Sequence, residues 1–390
     1  MKLLDRAYML EAARLTQAGR LTEATALLQQ ALGTNPGAGT AANQSSAIQL
    51  IPPIVAADIG ANPTSALAAA IPAPRMLNPQ VLDWKAKLPG LQGRRVQPAD
   101  VAPSNGRYLG GAYSNAAGSR SYKLYIPSRQ DGQPSPLIVM LHGCTQSADD
   151  FAAGTRMNFA AETRGCFVVY PEQPQAANAS KCWNWFRSGD QTRERGEPAL
   201  IAGITRQILK DYNIDPLRVY VAGLSAGGAA AAIMGETYPD LYAAVGVHSG
   251  LACHSAHDLP SAFSAMRGQV IPQSVEGYRR DMRQMPTIVF HGDQDPTVHP
   301  SNGTKVIARA NGDASLHVMT VRKAGASGEH YSQSVYQDEE GRSILELWEL
   351  HEAGHAWSGG SPAGSFTSPN GPDATKEMLR FFLDHRRSID

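Results

Sequence analysis

A chain of 390 residues with 42% hydrophobic content can bury one large core or two modest ones. Its 35 Lys and Arg balance 35 Asp and Glu, a neutrality that argues against electrostatic capture of nucleic acid or an anionic membrane. No stretch is apolar enough, for long enough, to span a bilayer. The N-terminal "MKLLDRAYMLEAARLTQAGR" sets Asp5 and Glu11 where a secretory signal needs an apolar core, so a cytoplasmic address is the default expectation.

Residues 1–33 read as a helical hairpin. Leu4, Tyr8, Ala12 and Leu15 recur at helical spacing, Gly19 breaks the run, and Leu21, Ala24, Leu28 and Ala31 repeat it until Gly33. Such an amphipathic pair can dock on its own catalytic domain, join a second copy as a homo-oligomer, or serve as an adaptor for an apolar granule surface. Residues 34–105 are rich in Ala, Pro, Gly, Asn and Ser and read as a mostly irregular linker, part of it lying along the main domain.

From residue 106 to 390 the rhythm is that of a single α/β domain. "SYKLYIP", "PLIVMLHG", "CFVVYPE", "RVYVAGL", "AAVGVHS", "TIVFHGD" and "LELWELH" are strand-like. Between them, "FAAGTRMNFAAETRG", "ALIAGITRQILKDY" and "GTKVIARANG" have helical patterns, and "ATKEMLRFFLDHRR" closes the chain as an amphipathic helix. This alternation implies βαβ units and a mostly parallel sheet with helices on both faces. Chemistry in such sheets collects at the carboxyl ends of the strands.

Ser225 stands at such an end, in "VAGLSAGGAAA" between a strand and a helix. The spacing G-x-S-x-G, with Gly223 and Gly227, is that of a nucleophile elbow. A serine there needs a base, and the base an orienting acid. Asp293 and Asp295 both follow "TIVFHG"; the H-G-x-x-D spacing favours Asp295, with Asp293 capping the loop. His299, His317, His330, His351, His355 and His385 are the candidate bases. His355 in "EAGHAW" follows a strand and a glycine and is favoured, while His351 is expected to pack in the strand and His385 to lie on a solvated helix face. Ala226 supplies one backbone N–H for an oxyanion, and Cys144 or Thr145, after "LIVMLHG", the other. His142 is expected to make a structural hydrogen bond under that loop.

Six ordered motifs, "LHGCTQSADDFA", "VVYPEQ", "CWNWF", "VAGLSAGGAAA", "HGDQDPTVHP" and "GHAWSGG", closely resemble the poly(3-hydroxybutyrate) depolymerase-type esterases. These are α/β-hydrolases that also include feruloyl and acetylxylan esterases. The resemblance covers roughly residues 106–386. It implies an α/β-hydrolase fold and a triad of Ser225, Asp295 and His355, with Cys144 and Ala226 flanking the oxyanion. The substrate would be an ester: polymer, oligomer, feruloyl or acetyl. Neither a metal nor an organic cofactor is implied. Cys144 and Cys182 match cysteines of "LHGC" and "CWNWF" and are expected close together, as a disulfide beside the site. Cys166 and Cys253 match no motif and are expected as buried thiols. Trp183 and Trp185 are site-adjacent in these motifs, and with Trp357 and Thr145 they are expected among the substrate-binding residues; the aromatics of "CWNWF" could equally anchor a long loop to the core. Neither a signal peptide nor a C-terminal polymer-binding domain is read here, which argues against extracellular attack on crystalline polymer. A serine peptidase, and a granule-binding protein working through residues 1–33, are the readings from other classes.

Overall fold

The computed structural model describes residues 96–129, 132–269, 284–312, 314–324 and 330–388. The expected hairpin, and the linker up to residue 95, lie outside them. Helix α1 (Pro98–Val101) buries Val101 and is tied down by Asn158, whose Nδ2 donates to the Val101 carbonyl. It precedes a hairpin of β1 (Arg107–Asn115) and β2 (Gly118–Ile126). Then come β3 (Ser135–Leu141), α2 (Ala148–Thr155), α3 (Met157–Arg164), β4 (Phe167–Pro171), α4 (Gly196–Asp211) and β5 (Ile214–Leu224). The second half contains α5 (Ala226–Thr237), β6 (Ala244–His248), α6 (Leu259–Met266), β7 (Thr287–Gly292) and α7 (Ser301–Asn311). It closes with β8 (His317–Ala324), β9 (His330–Gln337), β10 (Ser343–Leu350), the short pair β11 (Trp357–Ser358) and β12 (Thr367–Ser368), and α8 (Ala374–Leu383).

Ten strands make one sheet in the order β1-β2-β4-β3-β5-β6-β7-β10-β9-β8. The six central strands, β4 through β10 in that order, are parallel to their neighbours. Antiparallel pairs flank them at both edges. All residues of β3, β4, β6 and β7 are buried, as a sheet covered on both faces requires. Alternation divides their side chains between two cores. Leu137, Val139, Val219 and Val221 meet the residues of α4, α5 and α7. Ile138, Met140, Tyr220 and Ala222 meet those of α2, α3 and α8. No helix among the described residues is long and apolar enough to cross a membrane.

Five strands, β1, β8, β9, β11 and β12, and two helices, α1 and α6, escape the sequence pattern. β1, β8 and β9 carry few residues of the buried apolar kind, and β8 is exposed along its whole length. The helix expected through "FAAGTRMNFAAETRG" is two helices, because Arg156 takes a left-handed conformation with φ 55° between them. Helix α6, opened by a Asp258–Ser261 capping box, was not read at all. His385 does not sit on a solvated helix face: it follows α8, with Nδ1 2.7 Å from the Phe381 carbonyl and Nε2 2.8 Å from that of Ser343.

The tightest packing lies where β5 turns into α5. A Cβ built on Gly227 would lie 2.0 Å from the Leu141 carbonyl oxygen and 2.5 Å from that of His142, and one on Gly223 would lie 2.3 Å from Gly227 backbone atoms. The neighbours are main-chain atoms and cannot swing aside. Gly227→Ala should therefore lower the unfolding free energy by about 3 kcal/mol, read by urea titration; an unchanged midpoint would contradict the close crossing.

Candidate active site

Ser225 caps the N-terminus of α5 with φ 58° and ψ −119°, a strained conformation for a residue with a side chain. Its N–H donates to the His248 carbonyl (2.9 Å) and its carbonyl accepts from Ala229 N–H (2.9 Å), so the turn is fixed from both sides. Ser225 remains partly accessible although its neighbours Leu224 and Ala226 are buried. Ala226 is the first residue of α5, where a helix leaves its N–H without an intrahelical acceptor.

Asp295 follows β7 and is buried. Its Oδ1 accepts from Thr297 N–H and Val298 N–H, both at 2.8 Å, and its Oδ2 lies 2.7 Å from His355 Nδ1. Burial opposes ionisation, but the bond and charge of His355 and the two backbone donors outweigh it and hold the carboxyl below its ordinary value. A carboxylate only accepts, so Nδ1 carries the proton and Nε2 is left with a lone pair. Among the described residues no hydrogen bond joins Ser225 Oγ to His355 Nε2, a contact that in resting enzymes is often long.

The loop after β3 supplies the second side of the site. Thr145 N–H is already engaged with the Ser180 carbonyl at 2.7 Å, whereas Cys144 N–H meets no acceptor among the described residues. Of the two expected donors, Cys144 is thus the one left to serve, and Thr145 offers an exposed side chain on the same loop. Gln146 braces the turn: its Oε1 accepts from Gly143 N–H (2.9 Å) and its Nε2 donates to Asp150 and to the Ser365 carbonyl. His142 lies beneath, accepting Gln173 N–H at Nε2 (3.0 Å) and donating from Nδ1 to the Gly143 carbonyl (2.8 Å). A disulfide joins Cys144 to Cys182, with Cα atoms 4.2 Å apart. Cys166 and Cys253 are buried free thiols, and burial pushes both well up, Cys166 to about 12.

Trp183 and Trp357, expected at a pocket, turn into the core. Trp183 is fully buried and its Nε1 donates to the His142 carbonyl (3.1 Å), fastening the "CWNWF" segment beneath the loop that carries Cys144. Trp357 is equally buried, packed edge-on against Phe151 and stacked on His248, with Nε1 donating to Thr375. Trp185 is 6% exposed and meets Phe186 edge-on.

Sequence reasoning also passed over supports of the site. Glu197, buried at the start of α4, accepts from Asn184 N–H (2.7 Å) and Asn184 Nδ2 (2.6 Å) and so holds "CWNWF" in place. Burial, then the charge of Asp190, pushes its carboxyl up against these bonds. His248, buried at the end of β6, accepts Ser358 N–H at Nε2 (3.0 Å). The only sequence signal for either was a polar residue at the end of an apolar strand or at the start of a helix. A Glu236, Cys253 and His254 group could hold a cation by proximity, but Glu236 is already paired with Arg309 through both oxygens.

A family model described as "Esterase PHB depolymerase" matches residues 120–332. Poly(3-hydroxyalkanoate) depolymerase C of Paucimonas lemoignei is 31% identical over 258 residues, 63% of this chain and 59% of that protein's length. Feruloyl esterase B of Neurospora crassa is 29% identical over 243 residues, 58% of this chain and 80% of that protein. A probable acetylxylan esterase A of Neosartorya fischeri is 30% identical over 203 residues, covering 48% and 54% of the two chains. Among solved structures, the acetyl xylan esterase from Aspergillus awamori superposes with a TM-score of 0.54 at 20% identity, covering 68% of this chain and 94% of that one, which shows an α/β-hydrolase fold.

Two histidines under the site are held neutral. Burial pushes His142 from 6.5 down to about 4, and burial with the nearby His291 and His355 pushes His248 to about 3. An unfolded imidazole takes its proton near 6.5, so below that pH the unfolded chain binds more protons than the folded one. Their contribution is complete above pH 6.5 and is lost as the pH falls, at up to ~1.4 kcal/mol per pH unit for each. Urea titrations at pH 7.5 and pH 5 should show a clear fall in unfolding free energy, with a smaller fall in His248→Phe; equal values at the two pH values would contradict the neutral, buried imidazoles.

Proposed function

The chain belongs to the esterase PHB depolymerase family, and from that premise we propose that it is a serine carboxylic-ester hydrolase acting on poly- or oligo-(3-hydroxybutyrate) or related short-chain hydroxyacyl esters. The observation that carries the mechanism is the 2.7 Å contact between buried Asp295 and His355, set at the strand ends that also present the strained Ser225. A buried carboxylate fixing an imidazole tautomer, beside a serine at a helix N-terminus, is the arrangement that nucleophilic acyl transfer requires.

His355 Nε2 takes the proton from Ser225 Oγ as that oxygen attacks the ester carbonyl carbon. The carbonyl oxygen becomes an oxyanion and is held by the N–H groups of Cys144 and Ala226, aided by the positive end of α5. The intermediate collapses, the C–O bond to the alcohol breaks, and the alcohol leaves with the proton from His355. Water then attacks the acyl-Ser225 ester, giving its proton to His355, and the second collapse returns that proton to Ser225 as the acid departs. Asp295 stays ionised throughout and stabilises the imidazolium that forms twice in each cycle. The steps use the side chains and backbone of this chain alone. The feruloyl and acetylxylan esterases among the relatives favour a second reading, in which the acyl group is feruloyl or acetyl.

Turnover of p-nitrophenyl butyrate should fall by about 10³-fold or more in Ser225→Ala. Asp295→Asn should lose on the order of 10²-fold or more, and Asp293→Asn less than about tenfold. Near-normal turnover of Ser225→Ala would remove the nucleophile, and a larger loss in Asp293→Asn would move the acid. Hydroxybutyrate oligomers, methyl ferulate and acetylated xylan in the same assay rank the acyl groups; a kcat/KM highest for hydroxybutyrate oligomers is expected, and one highest for ferulate would select the second reading.

A further inference from the structure

The base stands on a loop, and a loop places a ring poorly unless something holds it. Two side chains outside the triad grip this loop, one on each side of His355. Before it, Asp293 Oδ1 accepts from Glu352 N–H at 2.7 Å. After it, His248 Nε2 accepts from Ser358 N–H at 3.0 Å. We propose that Asp293 and His248 are positioning residues, a clamp that fixes the His355 ring between Asp295 and Ser225. The proposal rests on the esterase reading above and deepens it.

The Asp293 side of the clamp is itself oriented. Its Oδ2 accepts from His351 Nδ1–H (3.0 Å), and His351 Nε2 in turn accepts from the Ser332 hydroxyl (2.9 Å). This is a second Ser–His–Asp chain, but its serine is no nucleophile. Ser332 lies within β9, paired on one side with Arg322 and on the other with Glu349, with neither a strained turn nor a helix N-terminus beside it. What the chain does is aim Asp293. Glu352, whose N–H donates that bond to Asp293, sits at φ 59°, a strained conformation for a non-glycine residue that persists only when its surroundings enforce it. Asp293 N–H to the Leu350 carbonyl (3.0 Å) and Gln294 N–H to the Ala353 carbonyl (3.1 Å) complete the tie between the ends of β7 and β10.

The His248 side reaches both catalytic partners at once. Its carbonyl accepts Ser225 N–H, while its ring accepts Ser358 N–H, so one buried residue is bonded to the nucleophile's turn and to the base's loop. The ring cannot drift: it is stacked between Trp357 (5.1 Å) and Phe290 (5.8 Å), and its Nδ1 lies 3.1 Å from Ser249 Oγ. Burial keeps the imidazole neutral, which leaves Nε2 free to accept.

Displacement of a catalytic group by about 1 Å can cost on the order of 10²-fold in rate, so the clamp should be read in kcat. The full-length chain and its variants His248→Phe, His248→Gln, Asp293→Ala and Asp293→Asn are compared with p-nitrophenyl butyrate, each normalised to the endpoint of Ser225 labelling by diethyl p-nitrophenyl phosphate. Phe keeps the stacking and removes the acceptor; Gln and Asn restore an acceptor oxygen. His248→Phe and Asp293→Ala should lose about tenfold or more in kcat per reactive serine with KM within about twofold, and His248→Gln and Asp293→Asn should recover most of it. A purely structural role would lower Tm and the labelled fraction but leave per-site kcat unchanged. Per-site kcat of Asp293→Ala and His248→Phe within about twofold of wild type overturns the clamp, as does a Gln or Asn variant no better than its Phe or Ala counterpart. Should His248→Phe not fold, the Asp293 pair decides alone, since Asp293 is exposed and packs in no core. A wild-type chain that turns over no ester overturns the esterase reading and the clamp with it; an active wild type with unaffected variants overturns the clamp only.

Discussion

Everything at the candidate site depends on how closely β5 and α5 cross β3. Gly223 and Gly227 let main chain meet main chain, with the Leu141 carbonyl where a side chain would otherwise be. That approach puts Ser225 at φ 58° on the rim of the sheet and sets the start of α5 against the loop that carries Cys144. The proposed nucleophile and both proposed oxyanion donors therefore take their positions from a single crossing. Strain at one residue is tolerated because two buried cores, one on each face of the sheet, fix everything around it.

Around this crossing, neutral buried imidazoles act as struts. The His142 ring joins the Gly143 carbonyl to Gln173 N–H under the loop after β3, and the His248 ring joins Ser249 Oγ to Ser358 N–H. Each has a donor on one side and an acceptor on the other, which a charged ring could not offer. Burial keeps them in that form. The same low-dielectric setting leaves Asp295 ionised only because His355 and two backbone N–H groups face it. The buried carboxylate of Asp295 thus faces one imidazole, that of His355, whose Nδ1 it holds.

Much of this was legible in the sequence, for physical reasons that differ by element. The central strands are covered on both faces, so they appear as uninterrupted apolar runs such as "PLIVML" and "TIVFHG". The elbow is legible because only small residues fit its crossing, and Asp295 because it follows a buried strand at a short, fixed spacing. The edge strands β8 and β9 were not legible, since exposed or half-covered strands need no apolar period. The tryptophans left two readings open because a sequence shows an aromatic ring without showing which way it turns; Trp183 and Trp357 turn inward. His248 was passed over, and Asp293 was read only as a loop cap, for a related reason. Their work is done through backbone N–H groups of residues distant in the chain, and no residue pattern records such bonds.

The central claim is that Ser225, and no other serine, forms the covalent acyl intermediate. Intact-mass and peptide mapping after stoichiometric reaction with diethyl p-nitrophenyl phosphate tests it most directly. The account predicts a single diethylphosphoryl adduct on the peptide containing Ser225, with loss of esterase turnover in proportion to labelling. An adduct on Ser332, or complete loss of turnover with Ser225 unmodified, would contradict it.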